Sequence, residues 1–368
     1  MRNIILFICI SCLISCDKVD QTKAKKVELV LQDSIVVDYI GNLYIVTQNE
    51  LDHHYLSLDR TTGNIVEFDN KGNISMVFNP SEPGPNAIKG ELIGLNYFQD
   101  SLLLIQSRDS YYVLNKEGEI MSTYTPGRSG ALSGNMRYRL QADGPFIFSN
   151  RGYDTEYKLN EVQFYEEAKN LAVIDFREDT SLNYHIPYED NSLYKEVDKF
   201  YMNTFPIFNY NPADSLIYLL HAMDRKVRVY DPYQEFKLVH EIKTSPQNFK
   251  EPSGTPFGQQ INTLKELTYG SYYLNFFNDQ DLMVLEYTTG LPLTINQPGS
   301  VAELNELMVD NNKFYYEVFL KGKKLGEAEL PKNKMGLRIV RDNKAIFQLD
   351  KNKEERDYEV FYEYTFVY

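Results

Sequence analysis

Three arginines, Arg128, Arg137 and Arg139, stand around Tyr138 in "GRSGALSGNMRYR", within a chain whose formal net charge is −14. Guanidinium forks beside a stacking ring suit carboxylates, phosphates or acidic sugars. They equally suit a plainer role, pairing with the surplus Asp and Glu of neighbouring elements. Farther along, His185, Tyr188 and Tyr194 place an imidazole and two phenols in one connecting segment. There they either cover a ligand or pack that segment onto the body of the protein. The five histidines, which include His53, His54, His221 and His240, offer little to a metal. Adjacent residues of a strand point to opposite faces, so His53 and His54 do not ligate one ion from a regular strand. No HxH or HExxH occurs, and "DRTTGN" and "DNKGN" lack the alternating ligands and closing glutamate of a calcium loop. Those two read as hairpin turns. No GxSxG, P-loop or Ser/His/Asp order is present, so no catalytic residue is assigned and neither a metal nor a cofactor is expected. All three cysteines, Cys9, Cys12 and Cys16, lie at the start, which leaves the remainder no thiol for disulfide, metal or nucleophile.

The elements that must position these groups are short strands. "NIVEFDNKGNISMVFNP" at 64–80 and "SYYVLNKEGEIMSTYTP" at 110–126 share one plan: strand, four-residue turn with glycine, strand, proline. Gly72 and Gly118 supply the positive φ that a tight hairpin needs. A second phrase, aromatic strand, polar turn, strand, recurs in "LNYFQDSLLLI", "IFNYNPADSLIYLL" and "YLNFFNDQDLMVLEY", and less tidily in "LRIVRDNKAIFQL". Joined, the phrases make a four-stranded meander, A to D, and the chain is expected to be all-β. Units fall near 42–79, 91–126, 136–176, 205–244, 272–330 and 335–367, the third with "PFIFSNRG", "EVQFYEE" and "LAVIDF" as its strands. Helix is confined to short pieces at 191–201 and 261–267. The last unit holds three strands and lacks a fourth, while "KVELVLQDSIVV" at 26–37 is a strand without a unit. A toroid closes by lending such a strand to its last blade, which removes the exposed edge. The expected fold is a six-bladed β-propeller of four-stranded antiparallel blades closed by the N-terminal strand, with seven blades or an array of two-sheet sandwiches as alternatives. In that topology A→B and C→D turns share one face. The long connections, 80–91, 126–136, 177–204, 245–271 and 288–312, are D→A or B→C and therefore share the other. Long loops in a compact domain usually carry function, so that face is the expected binding face.

The opening "MRNIILFICISCLISC" sets Arg2 before an apolar run from Ile4 to Ile14 and a small residue, Ser15, before Cys16, the layout of a secretory signal. Asp17, Lys18 and Asp20 end the run short of the roughly 20 apolar residues of a spanning helix. Leu13-Ile14-Ser15-Cys16 resembles the lipobox of bacterial lipoproteins. That resemblance implies cleavage before Cys16, a diacylglycerol on its thiol and acylation of the new N-terminus. The parts are then a signal at 1–15, a lipidated tether at 16–25 and a propeller at 26–368. Lipobox, tether and six degenerate repeats together resemble the six-bladed propeller lipoproteins of Bacteroidetes-type bacteria. The glycine- and proline-rich connections "NPSEPGPN" and "TPGRSGALSGN" are similar to loops between their blades. The resemblance implies a location at the cell envelope, with the outer membrane as the expected site, and carries over no catalytic residue.

Composition narrows the partners. The acidic total repels phosphate backbones and no basic cluster overrides it, which excludes nucleic acid. Tyr 29, Phe 21 and no Trp is an aromatic, β-leaning composition. The expected function is a lipid-anchored binding or scaffold module for a peptide, glycan or protein partner on the long-loop face. The alternative is a glycan hydrolase or lyase with its groups around the central channel.

Overall fold

The computed structural model describes residues 25–368, except 50–51, 100, 127–139, 151–153, 177–181, 197, 203, 205, 260–268, 293, 297, 312 and 351–355. Cys16, Arg128, Arg137, Tyr138 and Arg139 lie outside the described residues.

Local turn chemistry makes the hairpins. In "DNKG", Asp69 Oδ1 accepts the Lys71 and Asn73 amides at 2.8 and 2.9 Å, and Gly72 takes φ +86°. In "NKEG", Asn115 Oδ1 accepts the Glu119 amide at 2.8 Å, and Gly118 takes φ +83°. Such Asx turns fold the backbone back at a step only glycine enters without strain. The resulting antiparallel meanders are six four-stranded blades: 43–78, 92–124, 141–187, 206–243, 272–329, and 334–367 completed by the N-terminal strand. The first strand of each blade forms the inner wall. These are Leu43–Gln48, Leu92–Phe98, Gln141–Asp143, Pro206–Asn211, Tyr272–Asp279 and Lys334–Arg341, and each touches the next around a closed ring.

Closure is as expected from the orphan strand. Glu28–Val37 runs antiparallel to Glu359–Val367, from Glu28 opposite Val367 to Val37 opposite Glu359, as the outermost strand of the last blade. Just before it, Lys25–Lys26 pairs in parallel with Lys323–Glu329 of the fifth blade. Val27, fully buried, plugs the seam between the two.

The core lies between blades rather than at the centre. Six apolar clusters map onto the six seams, one to each pair of neighbours. Each blade therefore buries apolar residues on both faces, chiefly from its middle strands, and cannot satisfy its own surface alone.

Blade 3 corrects the reading of the sequence. Its strands are Gln141–Asp143, Phe146–Ser149, Lys169–Asp175 and Leu182–Pro187, so 177–204 is not one connection. "EVQFYEE" is no strand: Val162–Glu167 is a helix inside the B→C connection at 150–168. The alternation Val162-Gln163-Phe164 imitates a strand, yet adjacent Phe164 and Tyr165 are both buried, as a helical turn in a crevice allows. A second helix, Val301–Asn311, was also missed. Its start was legible, since Ser300 Oγ accepts the Glu303 amide at 3.2 Å and Glu303 reaches back to the Gly299 amide at 2.7 Å. This is a near relative of the capping box. Among the described residues of the helical piece expected at 191–201, only the short turn Leu193–Lys195 is helical, and 261–267 lies outside the described residues.

Candidate functional site

Among the described residues, the connections that hold Phe164, Tyr188, Tyr194, Tyr201 and Phe257 meet on one face, and much of that face is filled by their own aromatics. Phe164, Tyr165, Tyr188, Tyr194, Phe200 and Tyr201 pack with Met223 into a seventh apolar cluster. The connections are also tied by a two-stranded ladder, Lys199–Phe200 against Thr255–Pro256. Tyr188 and Tyr194 are brought together, rings 5.4 Å apart, with the His221 ring against both at 4.8 and 5.2 Å. The Tyr188 hydroxyl donates to Thr204 O at 3.1 Å, and the Tyr194 hydroxyl accepts the Met223 amide at 3.2 Å. Both side chains are buried. His185 stands apart, its ring stacked on Phe236 at 4.1 Å. Burial, then the charge of Lys169, pushes its pKa down to about 4.

What the same face leaves open is a groove of about 620 Å³ between 190–196, the turn at 223–226 and 243–251. Several of its charges are paired internally. Arg225 meets Glu251 at 2.5 Å, and buried Arg228, beneath the groove, meets Asp224 at 2.8 Å and Glu241 at 3.1 Å.

The opposite end is built differently. There a cavity of about 260 Å³ is walled by all six inner strands, near their C-terminal ends and the short A→B turns. The side chains of this mouth also bridge every blade seam. Between blades 1 and 2, the Tyr97 hydroxyl and Lys116 Nζ both donate to Glu67 at 2.9 Å. Between 2 and 3, Asn96 Nδ2 donates to Leu140 O at 2.8 Å. Gln141 joins 3 to 4, donating to Asn209 Oδ1 and accepting the Tyr210 amide at 2.5 Å. Asn209 and Asn211 donate to the carbonyls of Asn278 and Gln280 at 2.9 and 3.0 Å, joining 4 to 5. Asp279 accepts the Asp342 amide at 2.6 Å, and Arg341 Nη1 donates to Asn49 O at 3.3 Å, closing 5 to 6 and 6 to 1.

Each amide used this way keeps donors and lone pairs to spare, since a carboxamide offers two of each. The mouth is therefore a ring of prepositioned groups that both donate and accept, held by the seams that hold the toroid. Two carboxylates, Asp143 and Asp279, share it. Burial, joined by the negative charge of Asp342, raises the Asp279 pKa against the opposing Asp342 amide and Arg341 charge. Burial also raises the Tyr210 hydroxyl, and Asp143 beside it adds to the effect. None of these residues was singled out in the sequence. The available signal was the Asn-Tyr pair recurring at 96–97 and 209–210 in equivalent inner strands. Among the described residues no group of His, Cys, Asp and Glu has the arrangement of a metal site.

No protein-family model and no curated protein matches the chain. Among solved structures it is similar to a member of the DUF4221 family from Bacteroides vulgatus, at 14% identity over 94% of this chain and 99% of that one, with a TM-score of 0.67. It is also similar to a candidate exported protein from Bacteroides fragilis, at 14% identity over 93% of this chain and 96% of that one, with a TM-score of 0.54. At that identity the likeness is one of fold.

Proposed function

We propose that this chain is a binding module of the bacterial envelope, tethered by lipid on Cys16, that receives a polar ligand such as a glycan or peptide at the axial mouth. The observation that carries the reading is that all six inner strands converge there, five of them with carboxamide side chains and the sixth with Arg341. A prepositioned hydrogen-bonding ring selects ligands by their donor and acceptor pattern, and it loses little entropy on binding because the seams already hold it. The long-loop face, where binding was expected from loop length, is supported less well. Its aromatics are spent on packing, and the charged pairs of its groove and floor neutralise one another. The lipobox-like start and the candidate exported protein among the structural relatives support the envelope location.

A second reading, a glycan-cleaving enzyme, draws on one observation: Asp143 and Asp279 share the mouth, with Asp279 raised above the usual carboxylate range. Two carboxylates in unlike environments are what general acid–base chemistry on a glycosidic bond uses.

Placement of the ligand is tested by filling the mouth with Thr47→Phe and, separately, reversing charge on the other face with Lys195→Glu. Ligand binding measured by calorimetry is expected to vanish in the first variant and persist in the second. The reverse pattern would return the site to the long-loop face. Turnover of a bound glycan, abolished by Asp279→Asn while binding remains, would establish the second reading. Cys16→Ser is expected to move the protein from the membrane fraction to the soluble one, and retention in membranes would remove the lipid from the account.

A further inference from the structure

A second cavity, of about 250 Å³, adjoins the axial mouth in the seam between blades 6 and 1, and the two share Gln48, Ile339 and Arg341. They form one groove running from the axis toward the rim. The outer part is charged, but Lys344 Nζ lies 2.8 Å from Glu363, so that pair is largely neutralised. Arg341, at the junction, is different. Its guanidinium is half-buried and donates one hydrogen bond, to the Asn49 carbonyl. Among the described residues it forms no ion pair within 4.0 Å, and the charge of Asp279 reaches it only from farther away. A guanidinium carries five N–H donors in a planar fork that matches a carboxylate, and Arg341 lines both cavities with one donor engaged. With Asp279 and Asp342 beyond ion-pair distance, this partly buried positive charge is incompletely compensated, and an incoming anion relieves it.

The rest of the wall indicates what carries the anion. Polar groups outnumber the apolar ones such as Ile339, Val340 and Ile346, and the carboxamides of Gln48, Asn96, Gln141 and Asn209 recur around the axis. A pyranose presents hydroxyls on every side, and each hydroxyl both donates and accepts, as these amides do. A peptide of ordinary composition would leave its apolar side chains against amides instead. We infer that the joined groove takes an acidic saccharide, with the uronate carboxylate on Arg341 and the ring hydroxyls on the axial amides. This rests on the axial site proposed above.

The test uses the full mature chain in detergent micelles and methyl glycosides of glucuronic and galacturonic acid, each beside its neutral methyl ester. Affinities come from saturation-transfer NMR titrations. The acids are expected to bind about ten- to hundredfold more tightly than the esters, the value of a charge-assisted hydrogen-bonded pair. Arg341→Gln should bring the acid-to-ester ratio to about one. If that variant fails to fold, the acid-to-ester ratio on the unaltered protein decides. Equal affinities for acid and ester overturn the carboxylate assignment and leave the axial site standing. Binding of a peptide with a free C-terminal carboxylate but of no saccharide, blocked by Thr47→Phe, overturns the saccharide and again leaves the axial site. Failure of every probe overturns both.

Discussion

Replacing Gly72 with alanine tests the closure of the ring at one atom. Gly72 has φ +86°, and a β-carbon placed there lies 1.9 Å from the carbonyl oxygen of Val36, in the closing strand Glu28–Val37. The substitution therefore has two costs. An L-residue in the left-handed region costs roughly 1–2 kcal/mol. The obstacle is backbone, which no rotamer change clears, so displacing it adds about 1–3 kcal/mol of overpacking. Gly63→Ala isolates the first cost, because Gly63 has φ +79° and meets nothing closer than the Asn79 amide at 3.9 Å. Gly118→Ala falls between them, its β-carbon 3.1 Å from the Phe78 ring at the next seam. Urea unfolding is expected to rank the three as Gly63, Gly118, Gly72 in rising damage, with Gly72→Ala about 1–3 kcal/mol beyond Gly63→Ala. Hydrogen exchange should then show the amides of 28–37 losing protection while those of blade 4 keep it. If the Gly72 and Gly63 variants unfold alike and 28–37 stays protected, the closing strand does not rest on this turn and the reasoning fails.

Other consequences concern buried polar groups. His221 is buried with neither ring nitrogen hydrogen-bonded, and burial, then the charge of Arg228, pushes its pKa from 6.5 down to about 3. Its neutral form therefore stabilises the native state above pH 6.5, and this contribution is lost as pH falls toward 3. His221→Leu should lose less melting temperature than the parent between pH 6.5 and 4; parallel curves would contradict the burial of that ring. Glu67 behaves as an ordinary stabilising carboxylate. Burial alone would raise its pKa, but hydrogen bonds from Ser75, Lys116 and Tyr97 and the charge of Lys116 bring it below 4.5. Glu67→Gln should thus destabilise at neutral pH, and the deficit should close as the pH drops below 4.5 through the depressed value. Arg228→Met strands Asp224 in the interior and is expected to cost about 3–5 kcal/mol. Adding Asp224→Asn should recover part of that, and no recovery in chemical denaturation would mean the two are not coupled.

Much of the architecture could be read directly from residue order. Hairpins are local events, so "DNKG" and "NKEG" announce their turns, and strands that pair with their chain neighbours leave a repeating pattern. The surplus strand at 26–37 and the three-stranded last unit likewise called for each other, because an unpaired sheet edge is unfavourable. Blade 3 escaped because six residues are too few to separate helical from strand periodicity, and Phe164 and Tyr165 are held by neighbours distant in sequence. Tyr188 and Tyr194 stand out in the sequence, yet their burial in a shared aromatic cluster was decided by how three separate connections meet. The axial mouth belongs wholly to the tertiary structure. Its amides come one or two from each of the first five blades and become neighbours only when the ring closes. A polar residue at the end of an inner strand looks like any other solvated turn residue until five further blades face it.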